Sequence, residues 1–319
     1  MKGVKITPSG LKGRITVPPS KSISHRMLIC ASLAAGDSII SNIDFSDDIL
    51  ATLKGIKALG AKVSYVKANS NLETYDVIIK GKGYPEIVQQ TVDCFESGST
   101  LRFLIPIALL DGKQITFTGR GRLSQRPLDE YCRIFQSQGI IYYTRTGGLP
   151  ITFSGKLRPG VFKVKGNVSS QFISGLLFSL PLLDGDSEII ITTPIESKGY
   201  IDLTIDTIKD FSIEVENHNY EYFKVKGKQS YKAARCRVEG DYSQAAFGLV
   251  AGTLNGNITC NDLESGSLQG DKCIIDILTE MGADLVVKDN SVTARSSKTF
   301  GITIDASQCP DLVPPLAVL

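Results

Sequence analysis

Apolar and polar positions alternate in blocks that recur along the chain with a period of roughly 70 residues. Each block opens with a short apolar helix, passes through a glycine turn and ends in a strand of alternating apolar and polar residues. The four blocks read "MLICASLAAGDSIISNI", "LRFLIPIALLDGKQITFTG", "FISGLLFSLPLLDGDSEIIIT" and "AAFGLVAGTLNGNITC". Gly36, Gly112, Gly185 and Gly256 fill the turns, where a residue without Cβ can end a helix at low strain.

A second helix follows in each copy, opening near an aspartate and ending before another apolar strand. These segments read "DDILATLKGIKALGAKVSY", "DEYCRIFQSQGIIYY", "IDLTIDTIKDFSIEVE" and "DKCIIDILTEMGADLVV". An aspartate at a helix start caps free backbone N–H groups and suits the positive end of the dipole. The pattern predicts an α/β (α+β) protein of repeated β-α-β-α-β-β units. Generic α/β segments that match by chance are the alternative, and the fixed order of elements argues against it.

The spacing of the copies predicts two domains. Copies at about 14–90, 91–160 and 161–237 would form a complete domain of three units, residues 14–237. Residues 1–13 and 238–319 would form a partial, truncated second domain. It would hold a fourth copy to about residue 300 and a fifth that stops inside its first helix, "ITIDASQCPDLVPPLAVL". A length of 319 residues agrees with two domains.

Composition and charge exclude several classes of function. Hydrophobic residues make up 42% of the chain and charged residues 21%, with a net charge of +2. This charge provides no broad field for nucleic acid or a membrane surface, so any anion site must be local. No apolar run reaches the roughly 18 residues that span a bilayer. The first residues, "MKGVKITPSG", lack the apolar core of a signal peptide.

The cysteines and histidines predict a cytoplasmic protein without a metal. The seven cysteines are odd in number and scattered, with no C-x-x-C pair, which indicates reduced thiols. His25 and His218 are the only histidines. Because neither lies in a cluster of cysteines or histidines, a zinc site is not expected.

The starts of the first helices supply the candidate chemistry. "VPPSKS" (17–22), "VKGNVS" (164–169) and "VEGDYS" (238–243) share a valine and a serine five residues later, and "ESGST" (96–100) fills the same slot. Free N–H groups and the helix dipole attract anions to such starts. In "PPSKSISHR", Lys21 and Arg26 add full positive charge. The alternative is that Ser20 or Ser22 only caps the helix and that Lys21 is solvated. His25, for which the sequence names no partner, is expected to be structural.

Further donors lie at corresponding places. "NVSSQ" (167–171) has adjacent serines and an amide, "ESGSTLR" (96–102) has a glycine and an arginine one turn later, and "RLSQRP" (122–127) adds Arg126. If these helix starts converge, one pocket would hold several oxyanions. No Cys–His or Ser–His pair is visible. The pattern therefore favours a small, multiply anionic substrate handled by positioning and electrostatics.

Four motifs in order, "VPPSKSISHR", "NVSSQF", "ESKGYIDLT" and "VEGDYSQAAF", resemble the EPSP synthase (3-phosphoshikimate 1-carboxyvinyltransferase) family over essentially the whole chain. The resemblance implies inside-out, barrel-like α/β domains of three units each, with substrates between them. It implies transfer of the enolpyruvyl group of phosphoenolpyruvate to the 5-hydroxyl of shikimate 3-phosphate by addition and elimination. It also implies a monomer with small-molecule substrates and no metal or organic cofactor, nucleic acid or membrane partner.

The resemblance implies a role for each matching residue. Lys21 and Asp311 would be catalytic, with Lys21 bridging the substrates and Asp311 taking the hydroxyl proton. The shikimate 3-phosphate ligands would be Lys21, Ser22, Arg26, Ser169, Ser170, Gln171, Ser197 and Asp311. The phosphoenolpyruvate ligands would be Lys21, Gly98, Arg126 and Gln171.

The chain departs from the family pattern in two places. The phosphoenolpyruvate loop has Glu96 and Ser99 where the family has Asn and Thr, and an extra carboxylate should weaken anion binding unless it points away. The chain ends at Leu319, before the family's last cationic residues. We therefore expect weak binding of shikimate 3-phosphate without turnover. A non-catalytic phosphate-sugar binding module stays open as an alternative. A UDP-N-acetylglucosamine enolpyruvyl transferase is less favoured, because such enzymes lack the S-K-S-x-S-H-R signature.

Overall fold

A computed structural model describes residues 3–5, 7, 9–69, 72–145 and 147–319 of the chain. Contacts divide the chain into two units. The larger unit is Lys21–Val238, and the smaller unit is Met1–Ser20 with Glu239–Leu319. The boundaries lie near those expected, except that the larger unit starts later than residue 14. That the larger unit is a complete domain and the smaller one partial stays a prediction.

The described helices and strands follow the repeated order that the sequence predicts. The first copy contains β1 (Leu11–Thr16), α1 (Lys21–Leu33), β2 (Ala35–Ile43), α2 (Asp47–Ala58), β3 (Lys62–Lys67) and β4 (Tyr75–Lys82). The second contains β5 (Thr91–Asp93), α3 (Gly98–Ala108), β6 (Ile115–Thr118), α4 (Asp129–Ser137), β7 (Ile141–Thr144) and β8 (Ile151–Ser154). The third contains β9 (Val161–Val164), α5 (Ser170–Ser179), β10 (Ser187–Ile191), α6 (Lys198–Asp210), β11 (Glu216–His218) and β12 (Tyr222–Val225). The fourth contains β13 (Arg235–Arg237), α7 (Tyr242–Asn255), β14 (Gly256–Asn261), α8 (Ile274–Glu280), β15 (Asp284–Lys288) and β16 (Ser291–Arg295), and α9 (Val313–Leu316) follows it.

The strands form four-stranded mixed sheets with one shared topology. In the second copy the order is β5-β6-β8-β7, and in the third copy the strands are arranged in the same way. The two strands joined through a helix are parallel, and the hairpin strands are antiparallel, as the lengths of these connections require. The sheets of the described chain are separate, so they do not close into one barrel.

Two first strands are exchanged between copies. β1 pairs in parallel with β14 of the fourth copy, and β13 pairs in parallel with β2 of the first copy. The sequence predicts copies at about 14–90 and 161–237 but names no pairing partner for their strands. The reason is that alternation along a strand defines its faces but does not define its partner.

The four turn positions favour glycine for different structural reasons. Gly36 and Gly112 have φ values of +108° and +84°, which disfavour any other residue. Gly256 is extended, and a Cβ there would lie 2.5 Å from the Leu11 carbonyl oxygen of the exchanged strand. A Cβ on Gly185 would approach Pro159 to 3.2 Å. A residue without Cβ is therefore favoured at Gly36 and Gly112 by a positive φ, and at Gly256 and Gly185 by close neighbours.

The first helices of the copies lie in the cores. α1, α3 and α5 bury apolar residues on all sides, including Leu28, Leu104 and Leu176, as expected for helices that are hydrophobic all round. In the smaller unit, α7 packs on β14 and β16 around Leu249. The polar residues of these helices are concentrated at their starts. Every helix in the described part of the chain is too short or too polar to cross a bilayer.

Candidate substrate-binding site

The helices of the larger unit are joined near their starts by side-chain hydrogen bonds. Arg26 of α1 donates to Thr204 of α6 at 2.8 Å, and Thr204 is 2.8 Å from the Ser174 hydroxyl of α5. Arg102 of α3 donates to Gln171 of α5 at 2.7 Å. These contacts link α1 to α6, α6 to α5 and α3 to α5.

The start of α3 packs two polar side chains on a bare glycine. A Cβ on Gly98 would lie 2.6 Å from Arg126 Nη1 and 3.4 Å from Gln171 Oε1. A Cβ there would displace the end of the flexible Arg126 side chain, so glycine lets this guanidinium group approach the helix start closely. Ser97 caps the helix by accepting from the Thr100 N–H at 3.1 Å. A guanidinium group beside the positive end of a helix suits an anion.

A second arginine stands behind the first. Arg102 is only 6% exposed and lies 4.9 Å from the Phe172 ring centroid. Burial, and next the positive charge of Arg126, lower the pKa of Arg102 to about 10. At neutral pH both guanidinium groups are charged, and among the described residues neither forms an ion pair with a carboxylate. The cluster thus keeps positive charge for an external anion.

From the sequence, Arg102 is one of the donors of a possible anion pocket, but it is not among the substrate ligands that the resemblance implies. The available signal was a charged residue inside an otherwise apolar helix, one turn after Gly98. A long side chain can also leave such a helix and reach solvent. The structure resolves this because Arg102 is buried and donates to Gln171 and, at 3.2 Å, to the Pro127 carbonyl oxygen.

Arg26 lies in the core beside the start of α1. It is 2% exposed, and burial lowers its pKa to about 10. Besides Thr204, it donates to the carbonyl oxygens of Ser22 at 2.8 Å and Tyr200 at 2.7 Å. A guanidinium group has five N–H donors, and these bonds use three of them.

Lys21 and Ser22 form the first turn of α1. Lys21 is largely exposed, and its Nζ lies 3.0 Å from Asp48 Oδ2 in the first turn of α2. Ser22 is half-buried. From the sequence, the aspartates at the start of α2 are expected to cap the helix, and Asp48 is not predicted as a partner for Lys21. In the structure Ser46 caps α2 instead, accepting from the Ile49 N–H at 3.5 Å.

The serines of the predicted phosphate site lie at two helix starts. Ser169 caps α5 by accepting from the Gln171 N–H at 3.3 Å, and Ser170 is the first residue of the helix. Ser197 precedes α6 with a left-handed φ of 56° and makes no capping bond. A strained residue of this kind persists only when its surroundings hold it, and such residues cluster at binding sites.

Glu96 turns toward the backbone of another loop. Its exposed carboxylate packs against Gly121, where a side chain would collide with it. Gly121 has a φ of +56° and begins the 3-10 turn Gly121–Gln125 that precedes Arg126. Ser99, the other departure from the family pattern, accepts a hydrogen bond from Gln171 Nε2 at 3.0 Å.

The smaller unit holds Asp311 and the fourth helix start. Asp311 is exposed in the short turn Pro310–Leu312. At the start of α7, Asp241 accepts from the N–H groups of Ser243 at 2.9 Å and Gln244 at 3.3 Å. A carboxylate therefore occupies the position where hydroxyls cap α3 and α5. The expected similarity between "VEGDYS" and the other helix starts does not extend to anion binding.

Repeated mixed sheets, together with helix starts that gather serines and uncompensated arginines, define a transferase fold of the enolpyruvyl transferase type. The chain belongs to the EPSP synthase family. The family model for EPSP synthase (3-phosphoshikimate 1-carboxyvinyltransferase) matches residues 6–319.

Curated relatives support this assignment. A 3-phosphoshikimate 1-carboxyvinyltransferase of Clostridium novyi (strain NT) is 56% identical over 323 residues, which cover 100% of this chain and 74% of the relative. The Clostridium kluyveri protein of the same name is 52% identical over 319 residues, covering 100% of this chain and 73% of the relative. The Clostridioides difficile (strain 630) protein is 49% identical, covering 100% and 74%.

A solved structure confirms the fold class. EPSP synthase from Acinetobacter baumannii superposes with a TM-score of 0.79 at 22% identity, covering 96% of this chain and 70% of that chain. At this identity the likeness concerns the fold alone.

Proposed function

We propose that the chain transfers the enolpyruvyl group of phosphoenolpyruvate to the 5-hydroxyl of shikimate 3-phosphate and releases phosphate. The observation that carries the proposal is the cluster at the start of α3, where Arg126 and Gln171 pack on Gly98 and Arg102 stands behind them. Two guanidinium groups and free helix N–H groups suit a small substrate with a carboxylate and a phosphate. Membership in the EPSP synthase family supports these particular substrates.

The reaction balances without an external oxidant or reductant. In the addition, the 5-hydroxyl oxygen bonds to the central carbon of phosphoenolpyruvate, the methylene carbon gains a proton and the hydroxyl loses one. In the elimination, the bond from that carbon to the phosphate oxygen breaks, and the methyl carbon loses a proton to restore the double bond. The protein's task is to position both anions and to move protons.

On the phosphoenolpyruvate side, the Gly98 N–H and the Arg126 guanidinium are proposed donors. Gln171 would reach both ligands, because its amide already lies between Arg102 and Ser99. The position of Glu96 against Gly121 supports this assignment. Its carboxylate lies against Gly121, whereas the nearest neighbours of Gly98 are Arg126, Gln171 and Arg102.

On the shikimate 3-phosphate side, the hydroxyls of Ser169, Ser170 and Ser197 are proposed to bind the phosphate. N–H groups at the start of α5 that Ser169 does not cap would donate to the same anion. Ser22 and the two remaining N–H donors of Arg26 would bind the carboxylate. Lys21 would exchange its ion pair with Asp48 for a position between the substrates.

Asp311 is proposed to contact shikimate 3-phosphate and to accept the proton of its 5-hydroxyl. A carboxylate can act as a general base toward an alcohol if it lies within hydrogen-bond reach. The exposure of Asp311 in the smaller unit leaves it accessible to a ligand. Its role is the part of the proposal that depends most on family membership.

The substrate assignment can be tested with two serines that share a backbone conformation. Ser197 and Ser212 both have left-handed φ values, 56° and 66°, and only Ser197 lies at the proposed site. Ser197→Ala should weaken calorimetric binding of shikimate 3-phosphate by about tenfold, whereas Ser212→Ala should not. Equal effects, or equally strong binding of unphosphorylated shikimate, would contradict the assignment.

Turnover is tested by phosphate release. Release that requires both substrates supports the transfer and overturns the expectation of an inactive chain. Binding of shikimate 3-phosphate without release favours the non-catalytic binding module. Binding of UDP-N-acetylglucosamine in its place would favour the sister transferase.

We further propose a cytoplasmic monomer whose partners are these small molecules, without a metal or organic cofactor, nucleic acid or membrane. The free thiols of all seven cysteines and the small net charge of +2 support this. Light scattering at several concentrations measures the oligomeric state, and a stable dimer would contradict it.

A further inference from the structure

A line of buried polar side chains crosses three helices of the larger unit. His25 Nδ1 of α1 lies 2.7 Å from Thr52 Oγ1 of α2, which lies 2.6 Å from Thr100 Oγ1 of α3. Thr100 in turn lies 2.8 Å from the Ser97 hydroxyl that caps α3. All four residues are at most 1% exposed.

The number of available hydroxyl protons determines which group donates and which accepts along this line of His25, Thr52, Thr100 and Ser97. The Thr100 hydroxyl also lies 3.3 Å from the Asp48 carbonyl oxygen, which can only accept. The single hydroxyl proton of Thr100 is within reach of both the Asp48 carbonyl oxygen and the Ser97 hydroxyl. With that proton directed to either acceptor, the Thr100 oxygen accepts from Thr52. The Thr52 oxygen then accepts from His25, which requires a proton on Nδ1.

The imidazole is held in one neutral form. Burial lowers the pKa of His25 to about 3, so the ring carries no charge at neutral pH. Its Nε2 has no hydrogen-bond partner among the described residues. Such an unpaired buried nitrogen is costly, and an apolar side chain would fill this place at lower cost.

Both ends of the line reach the proposed substrate-binding residues. Lys21 precedes His25 by one helical turn on the same face of α1 and pairs with Asp48, whose carbonyl oxygen faces Thr100. At the other end, Ser97 caps the helix that begins at Gly98. Hydrogen bonds are directional, so this circuit fixes the distance between two helix starts that apolar packing alone would allow to slide.

We propose that His25, Thr52 and Thr100 are positioning residues that hold the Lys21 turn of α1 and the Gly98 turn of α3 at one spacing. The inference rests on the proposed function in one respect, namely that Lys21 and Gly98 bind the two substrates. The spacing itself is a property of the free protein.

The first test removes one hydroxyl from the middle of the line. Thr52→Val keeps the shape of the side chain and touches neither Lys21 nor Gly98. Thr207→Val is the matched control, because Thr207 is also buried in the larger unit and its hydroxyl donates only to the Leu203 carbonyl oxygen, at 2.6 Å. Both variants should lower the melting temperature by similar amounts.

The two variants should differ in ligand binding. Thr52→Val should weaken the binding of phosphoenolpyruvate to the complex with shikimate 3-phosphate by about tenfold, because small displacements of positioned donors are costly. Thr207→Val should change it by less than about twofold, and Thr52→Ser, which restores the hydroxyl, should recover it. Equal losses of phosphoenolpyruvate affinity in Thr52→Val and Thr207→Val would mean that these hydrogen bonds only stabilise the fold, and would overturn the proposal.

The second test needs no ligand. Nitrogen NMR of the wild-type imidazole should report a single neutral form with the proton on Nδ1, and any other state overturns the line. Amide hydrogen exchange at Gly98, Ser99 and Thr100 should accelerate in Thr52→Val and not in Thr207→Val. If exchange accelerates only in Thr52→Val while the wild type binds neither substrate, the proposed function is wrong and the positioning role is supported. If the wild type binds both and exchange is unchanged, the line fails alone.

Discussion

The starts of α1 and α3 both accommodate a buried arginine, but the groups around the two arginines differ. Each helix buries an arginine soon after its start, and burial lowers the pKa of both Arg26 and Arg102 to about 10. Around α1 the protein itself supplies acceptors: carbonyl oxygens for Arg26 and a carboxylate for Lys21. Around α3 the second charge nearby is also positive, that of Arg126.

The α1 start is therefore a part of the site that protein contacts already hold in place, whereas the α3 start is a part that a bound anion would stabilise. At the α1 start Lys21 is paired with Asp48, and Arg26 donates to neutral oxygens of α1 and α6. The α3 start keeps excess positive charge, which an anion would relieve. Stability should therefore depend on the α1 residues, and ligand-dependent stability should depend on the α3 residues.

The largest effect should come from removing Arg26. Arg26→Met keeps an apolar stem but leaves the acceptors on Ser22, Tyr200 and Thr204 without this donor. We expect a loss of about 3 kcal/mol in the free energy of unfolding, measured by urea denaturation. A loss below about 1 kcal/mol would mean that the α1 start is not held by this arginine.

The pH dependence of stability should expose His25 next. Its folded pKa of about 3 lies below the ordinary value of 6.5, so the unfolded chain binds the proton more readily. Stability should therefore fall as pH drops below 6.5, by about 1.4 kcal/mol per pH unit until the folded pKa is reached.

The His25 contribution is isolated by comparison with His25→Asn, which cannot titrate but can donate to Thr52. Urea denaturation between pH 6 and pH 4.5 should show a steeper decline for the wild type than for the variant. Parallel curves would show that the imidazole titrates normally.

A smaller effect, visible only with ligand, should follow from Arg126. Arg126→Gln should not reduce stability without ligand, because it removes a charge that repels Arg102. It should weaken the stabilisation given by phosphoenolpyruvate with shikimate 3-phosphate, with about tenfold lower affinity. Arg145→Gln, at another exposed arginine, is the control. A marked loss of ligand-free stability in Arg126→Gln would contradict the difference inferred between the α3 start and the α1 start with Arg26.

The smallest effect should come from Asp48→Asn. The ion pair with Lys21 is exposed on the lysine side, so its removal should cost less than about 1 kcal/mol in the free energy of unfolding. Thermal denaturation in low and high salt would measure it. A large, salt-independent loss would make Asp48 a structural residue rather than a partner held for Lys21.

The order of helices and strands was predictable because the signals for it are local in the sequence. Apolar runs, glycines and aspartates near helix starts each lie within one element, and the repeats reinforce one another. The aspartates were nevertheless wrongly predicted as caps, since Ser46 caps α2 and α4, α6 and α8 have no side-chain cap. The partners of β1 and β13 were not predictable, because residues such as Ile15 alternate in the same way whichever strand lies beside them. Parallel pairing is decided by contacts far apart in sequence.

The site was predictable where a motif carries charge or lacks a side chain. Gly98, Arg126 and Gln171 were predicted and lie together. The partner of His25 was not predictable, because Thr52 is on another helix and a buried threonine resembles β-branched core filler. Arg102 was predicted as a donor, but its burial and its bonds to Gln171 and Pro127 were not, because they depend on residues far away in the sequence.

The exchange of β1 and β13 has a consequence for biosynthesis. β1 leaves the ribosome before β14, and at about 5–20 residues per second its partner follows tens of seconds later. During that interval the edge of β1 has no native strand beside it. The first sheet of the larger unit likewise waits for β13, which follows every other strand of that unit. Nascent chains must therefore keep two strand edges from wrong pairing until synthesis of these repeats is nearly finished.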